Sequence, residues 1–216
     1  MRIAKTIFIK YLFLKEQIFV FFKYYKNIKF AFADSFLLIF SFFYNPYRTS
    51  RKFLKKKEKK DLHMYGETPV STFEKIIRRS NIKSEDFILD LGSGRGKLCF
   101  FLACHIGCRT CGIEQIPVFV TLAKFITKFF KIKNLEFFCD NILNANIKKA
   151  NTAYLYGSNL EENEIIAIIN QYKYIDKFIT ISYPLSRYVK GMYKTVDKFQ
   201  VTFPWGTGDC YINKKI

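Results

Sequence analysis

Hydrophobic and polar positions along the chain fall into two regimes, and the change comes near residue 60. Up to there, long apolar runs dominate. Residues 7–22 are rich in Ile, Phe, Leu and Val and are interrupted by Lys10, Lys15, Glu16 and Gln17. Residues 28–44 are more apolar, with Phe30, Phe32, Phe36, Leu37, Leu38, Ile39, Phe40, Phe42 and Phe43. Asn27, Asp34 and Ser41 recur every seven residues, which predicts a helix with one narrow polar edge. A membrane span needs about 20 apolar residues. This stretch is shorter and carries an acid, so it fits a helix lying in the membrane plane as well as a span. Asn45-Pro46-Tyr47 reads as the turn that ends it. The thirteen positions of Arg48–Lys60 then hold eight Lys and Arg.

Beyond residue 60 the apolar runs shorten and alternate in type. Thr72–Arg79 has helical spacing, with Phe73, Ile76 and Ile77 apolar and Thr68 or Ser71 available as a cap. Phe87–Leu89 reads as a buried strand. Further strands are predicted over Cys111–Glu114, Leu135–Cys139, Thr152–Gly157 and Lys177–Ser182. Helical patterns from Leu98, over Ile116–Lys131 and over Glu161–Gln171 lie among them. Lys198–Phe203 and Asp209–Asn213 pair as a hairpin through the turn-rich Pro204–Gly208. Strands alternating with helices predict an α/β domain with a mostly parallel sheet. The chain thus divides into a hydrophobic, polybasic helical arm, residues 1–60, and an α/β domain, residues 61–216.

The candidate chemistry sits at the first strand. Asp90 ends it, and glycines follow at Gly92, Gly94 and Gly96 before a helix begins. Strand, glycine-rich turn and helix form the first unit of a doubly wound sheet, whose ligand lies beyond the strand's carboxyl end. Gly92 and Gly94 let the backbone approach a ligand, and Asp90 can accept hydrogen bonds from a cationic one. Glu114 ends the second strand twenty-two residues past Gly92, a distance at which an acid suits a ribose with free hydroxyls.

The D-x-G-x-G-x-G pattern of Asp90–Gly96 resembles motif I of the class I S-adenosylmethionine methyltransferases. Tyr65-Gly-Glu-Thr68, a helix, and then that motif resemble the lysine methyltransferases that lack a SET domain, of the disruptor-of-telomeric-silencing type. They are similar as well to small membrane-associated relatives in bacteria and mitochondria. The resemblance covers about residues 65–160. It implies a seven-stranded Rossmann-like sheet, mostly parallel, with an antiparallel C-terminal hairpin, and S-adenosyl-L-methionine as cofactor. It implies cofactor contacts from Tyr65, Glu67 and Thr68, with Glu67 at the cofactor's amino-acid end. The loop residues Asp90, Gly92, Ser93, Gly94 and Gly96, then Glu114 and Gln115, would continue the site. Asp140 would meet the adenine amino group, with Asn141 beside it and Ile142 against the ring. Asn159 matches the family's Asn at the end of the fourth strand, facing the transferring methyl; Ser158 matches less clearly.

The implied reaction is direct in-line methyl transfer, with a protein lysine side chain as acceptor. The alternative is a lipid or small-molecule acceptor at the same cofactor site. Asn-Pro-Pro-Tyr, the signature of base and amide methylation, does not follow the fourth strand; Asn45-Pro46-Tyr47 resembles it in the wrong place. Asn159, Tyr156, Tyr183 and Tyr65 are the polar groups expected near the acceptor.

Charge adds a partner to this picture. The 216 residues carry a net charge of +18 and are 50% hydrophobic, enough for one sizeable core with extras. Residues 1–60 hold 15 Lys and Arg against 3 acids, so the basic excess sits mainly in the arm. A basic run beside an apolar helix predicts binding to anionic lipid head groups through residues 7–60, with the catalytic domain on the cytoplasmic side. Nucleic-acid contact through such a run would be sequence-blind, and no specific nucleic acid is expected. The chain is expected to act as a monomer. Six cysteines without a cleavable signal peptide suggest a reducing compartment.

Cys104-x₃-Cys108-x₂-Cys111 has the spacing of a radical S-adenosylmethionine cluster. Its place between a helix and a buried strand argues for packing instead, so no metal is expected. His63 and His105 are read as bystanders. Trp205, the single tryptophan, is read as core packing or a pocket wall.

Overall fold

The computed structural model describes residues 2–58, 61–62, 65–147, 149–157 and 160–216, with side chains from residue 8 onward. Three helices open the chain: α1 (Arg2–Tyr24), α2 (Ile28–Phe43) and α3 (Pro46–Lys56). The Asn27 side chain caps α2 by accepting from the Phe30 amide at 3.1 Å. The Asn45 side chain caps α3 through the Arg48 amide at 3.0 Å, with Pro46 in the first turn. Asn45-Pro46 is therefore both the turn after α2 and the start of a helix that carries the basic run. The two helices meet at 67°, and among the described residues no single helix is long and apolar enough to cross a membrane.

The polar edge of α2 is its docking edge. Phe30, Ala33, Asp34 and Leu37 are buried, while Ile28, Phe32, Ile39, Phe42 and Phe43 stay exposed on the opposite side. Burying Phe30 and Leu37 stabilises the contact by about 1.5–3 kcal/mol each. The Asn27 amide donates to the Cys104 carbonyl at 2.6 Å. Asp34 meets Lys97 at 3.2 Å and accepts from the Tyr25 hydroxyl at 2.9 Å. Glu16 of α1 accepts from the Ser71 amide at 2.9 Å and its hydroxyl at 2.7 Å.

Those bonds close the N-terminus of α4 (Val70–Arg79). The expected caps, Thr68 and Ser71, do not do so. The N-cap is Pro69, which has no side-chain donor or acceptor, and a carboxylate from α1 takes its place. The polar interruption of the first apolar run is thus a helix cap supplied from a distance.

The sheet follows: β1 (Phe87–Leu91), α5 (Lys97–Phe101), β2 (Arg109–Glu114), α6 (Pro117–Phe129) and β3 (Leu135–Cys139), then β4 (Thr152–Leu155), α7 (Glu162–Gln171), β5 (Lys177–Ile181), β6 (Tyr193–Phe203) and β7 (Gly206–Lys215). The strand order is β3-β2-β1-β4-β5-β7-β6. β1 to β5 pair in parallel and β7 is antiparallel to both neighbours. This is the seven-stranded α/β sheet expected.

Side chains of β1 point alternately to two cores. Ile88 joins the larger one, with α4, α5, α6 and the arm's Val20, Tyr24, Phe30 and Leu37. Leu89 and Leu91 join the smaller one, with Ile165, Ile168 and Ile169 of α7. The hairpin is longer than predicted and pairs down to Phe203 opposite Gly206, so Pro204–Trp205 alone make the turn. Gly206, expected in the link, is a strand residue. The fourth strand stops at Leu155, two residues short of its predicted end.

Candidate active site

The order of the sheet reverses between β1 and β4, and there the carboxyl ends of the strands open on a cavity of about 530 Å³. This is a size and place typical of nucleoside sites. Asp90, Gly92, Ser93 and Gly94 line it from the loop after β1. Glu114 and Gln115 line it from the end of β2, and Asp140, Asn141 and Ile142 from the end of β3. Tyr65, Glu67 and Thr68 close it from the segment before α4. Gly96 lies behind the cavity, where a Cβ would come within 2.5 Å of the Phe137 ring. Asn159, Ser158 and His63 lie outside the described residues.

Gly92 shows why the loop needs glycine. Its φ is +89°, and a Cβ there would meet nothing within 4 Å. The backbone angle, not crowding, excludes a side chain, and the space in front of it belongs to the cavity.

Asp90 and Glu114 form one charge cluster. Burial pushes the Asp90 carboxyl up to about 7; the Cys99 thiol, donating at 3.3 Å, opposes this and the charge of Glu114 adds to it. Burial raises Glu114 too, against the pull of the Ile116 and Gly94 amides, which donate to its two oxygens at 2.8 and 2.9 Å. Two buried acids without a cation favour a positively charged ligand.

A second cluster was not foreseen. Arg95, between two loop glycines and 5% exposed, clamps Glu67 through Nε at 2.5 Å and Nη2 at 2.6 Å. Its Nη1 donates to the Leu37 carbonyl at 2.7 Å and the Ser41 hydroxyl at 2.5 Å. The Tyr65 hydroxyl also donates to Glu67. Burial alone would raise the Glu67 carboxyl; the Arg95 charge and hydrogen bonds outweigh it and hold the group at about 2. Arg95 thereby ties α2 to the glycine loop and to the Tyr-Gly-Glu segment.

Two further walls complete the cavity, the first not expected from the sequence and the second one of the two readings of Trp205. Tyr47, Ser50 and Leu54 line the cavity from α3, and their spacing at one helical face was the available signal. Trp205 also lines it and is 43% exposed, so it is a wall and not core. A Cβ on Gly66 would meet the indole at 2.8 Å, which explains a glycine inside Tyr-Gly-Glu. Tyr156 stacks on Phe203 and Phe203 on Trp205, with ring centroids 5.0 and 5.4 Å apart, so an aromatic wall rises beside the end of β4.

The cysteine triplet divides between elements: Cys104 is half-buried after α5, while Cys108 and Cys111 are buried before and within β2. His105 packs among Tyr24, Phe30 and Phe101.

The residues fit S-adenosylmethionine. Three strand ends present acids, Ile116 and Leu143 offer apolar surface, and the buried Ser93 hydroxyl, which lies against Gly112 of β2, has no hydrogen-bond partner among the described residues. The cationic amino-acid end of that cofactor would relieve Asp90, and Glu114 keeps acceptor capacity for a ribose hydroxyl.

Comparisons with known proteins agree with this geometry. The family described as Histone methylation protein DOT1 matches residues 46–175. A histone-lysine N-methyltransferase of Dictyostelium discoideum, H3 lysine-79 specific, is 30% identical over 73 residues, which span 34% of this chain and 4% of that protein. An RNA methyltransferase from Salinibacter ruber, solved with S-adenosyl-L-homocysteine, superposes with a TM-score of 0.54 at 20% identity, over 68% of this chain and 93% of that one. Magnesium protoporphyrin IX methyltransferase from Synechocystis, with bound cofactor, gives 0.55 at 14% identity over 68% and 77%. These likenesses establish the fold; their acceptors differ. With the matched family covering most of the chain and the acid-lined cavity at its centre, this chain belongs to the family described as Histone methylation protein DOT1.

Proposed function

We propose that this protein methylates lysine side chains of a protein substrate at an anionic membrane surface. One observation carries the reading: Asp90, Glu114 and Asp140, from three successive strand ends, line a single cavity with the Tyr-Gly-Glu segment. In it Asp90 and Glu67 serve the cofactor's amino-acid end, Glu114 and Gln115 the ribose, and Asp140 with Ile142 the adenine. Glu67 already spends both oxygens on Arg95, yet each keeps acceptor capacity. When bound, the cofactor supplies an electrophilic methyl group on a sulfonium.

The chain's own task is then to hold a neutral amine in line with that methyl and to exclude water. The aromatic wall of Tyr156, Phe203 and Trp205 supports a lysine acceptor, because an apolar channel lowers an ammonium pKa and aromatic faces accept its positive end. Asn159 is assigned to orient the amine. The name of the Dictyostelium relative favours lysine as well.

The arm supports the membrane. Arg48, Arg51, Lys52 and Lys55 lie exposed on α3, beside the exposed aromatic side of α2. The catalytic domain is assigned to the cytoplasmic side, acting as a monomer. The same exposed aromatics favour a second reading, a lipid acceptor.

Incubating membrane fractions with purified protein and methyl-labelled cofactor separates the two. Label on lysine, located by mass spectrometry, is the expected result. Label that leaves entirely with organic solvent would overturn the lysine reading in favour of the lipid one.

A further inference from the structure

Outside the cofactor cavity, the outer face of α6 is unusual for a domain helix. Its inner face, with Phe119, Val120, Ala123 and Ile126, is buried. Its outer face alternates Lys124, Phe125, Lys128 and Phe129, all exposed, with Phe125 48% and Phe129 64% accessible. These phenylalanines are continuous with the arm. Phe36 of α2 meets Phe125 at 5.6 Å between ring centroids, Phe125 meets Phe129 at 5.5 Å, Phe129 meets Phe130 at 5.0 Å, and Phe130 stacks on the exposed Phe32 at 5.3 Å. Lys29 of α2 donates to the Lys131 carbonyl at 3.0 Å and fixes the two elements edge to edge.

Beside this aromatic ridge, at the free edge of the sheet, lies a depression. Lys124, Lys128, Lys131 and Lys133 line it, with Phe138 and one acid, Glu136, which sits 3.6 Å from Arg109. None of these residues lines the cofactor cavity.

We infer that α6 and the β3 edge form a docking face for an anionic phospholipid surface, coplanar with the outer side of α2. The inference rests on the membrane reading above and deepens it. Lysines suit phosphate-bearing head groups, and phenylalanines at helical spacing suit the acyl boundary just below them. A nucleic-acid duplex would use the lysines but leave the phenylalanine ridge in water.

The face also fixes how the arm lies. With α2 docked through Asn27, Asp34 and Ser41, its outer stripe and that of α6 meet the bilayer together, so α2 lies flat. A spanning α2 would have to give up the Cys104 carbonyl, Lys97 and Arg95.

Vesicle flotation of the full chain tests this, on phosphatidylcholine with and without phosphatidylserine. The wild type is expected to float with the anionic vesicles. Lys124→Glu/Lys128→Glu/Lys131→Glu should bind them at least tenfold more weakly, and Phe125→Ser/Phe129→Ser should do likewise. Binding of S-adenosylhomocysteine, read by calorimetry, should stay unchanged and report that both variants fold. Variants that float like the wild type would overturn the α6 face and leave the arm as the sole membrane contact. A wild type that ignores every vesicle would instead overturn the membrane reading itself. Loss of duplex-DNA retention in the lysine variant, with flotation intact, would reassign the face to nucleic acid and overturn the inference.

Discussion

Two buried charge clusters flank the same glycine loop and are built in opposite ways. Arg95 and Glu67 neutralise one another, and the guanidinium spends its remaining donors on α2. Asp90 and Glu114 carry like charges, and both are pushed up by burial. The first cluster is complete without a ligand and holds the fold. The second is incomplete and holds a place for a cation. Glu67 therefore offers the cofactor only the acceptor capacity that Arg95 leaves it, whereas Asp90 offers an unmet charge.

Removing one partner should separate the clusters most sharply. Arg95→Ala leaves a buried carboxylate alone and should cost about 3–5 kcal/mol in urea unfolding. Pairing Arg95→Met with Glu67→Leu should recover most of that loss. If the single variant unfolds like the wild type, the complete cluster is not a structural one. Asp90→Asn should do the reverse. It should weaken cofactor binding by about 1.5–3 kcal/mol in calorimetry, the worth of a hydrogen bond to a charged group, without lowering the unfolding midpoint at pH 8.

The clusters should also answer pH with opposite sign. Asp90 binds its proton more tightly folded than unfolded, so the stability it gives is full at low pH and fades as pH rises from about 4 towards about 7. Glu67 is the converse: its contribution is full above about 4.5 and fades as pH falls towards about 2. Urea midpoints taken against pH should lose the upper slope in Asp90→Asn and the lower one in Glu67→Gln. Cofactor affinity, which needs Asp90 ionised, should fall about tenfold between pH 8 and pH 6. The smallest effect is expected from Ser41→Ala, about 1.5 kcal/mol in urea unfolding, the low end for a hydrogen bond to a charged group, because Arg95 Nη1 keeps the Leu37 carbonyl.

The incomplete cluster was readable in the sequence and the complete one was not. Asp90, Glu114 and Asp140 each end a short apolar strand, so a local pattern places them on one edge of one sheet. Arg95 finds Glu67 28 positions away and α2 at 54 and 58, and no local period encodes such a meeting. The heptad of Asn27, Asp34 and Ser41 was visible, but which way it faced depended on partners far along the chain. Glu16 is alike: it reads as a break in an apolar run until Ser71 is brought to it. The hairpin outruns the apolar stretches Lys198–Phe203 and Asp209–Asn213 because one face of both strands is in water and tolerates charged and glycine positions.

The reach of Arg95 bears on where the protein can be cut. A fragment trimmed to the matched span, residues 46–175, would discard Leu37 and Ser41 and leave two donors of a buried guanidinium with nothing to bind. At its other end it would drop β5, β6 and β7, nearly half the strands of the sheet. The unit recognised by its relatives is thus smaller than the unit that folds, and recombinant work on the catalytic core should begin no later than α1.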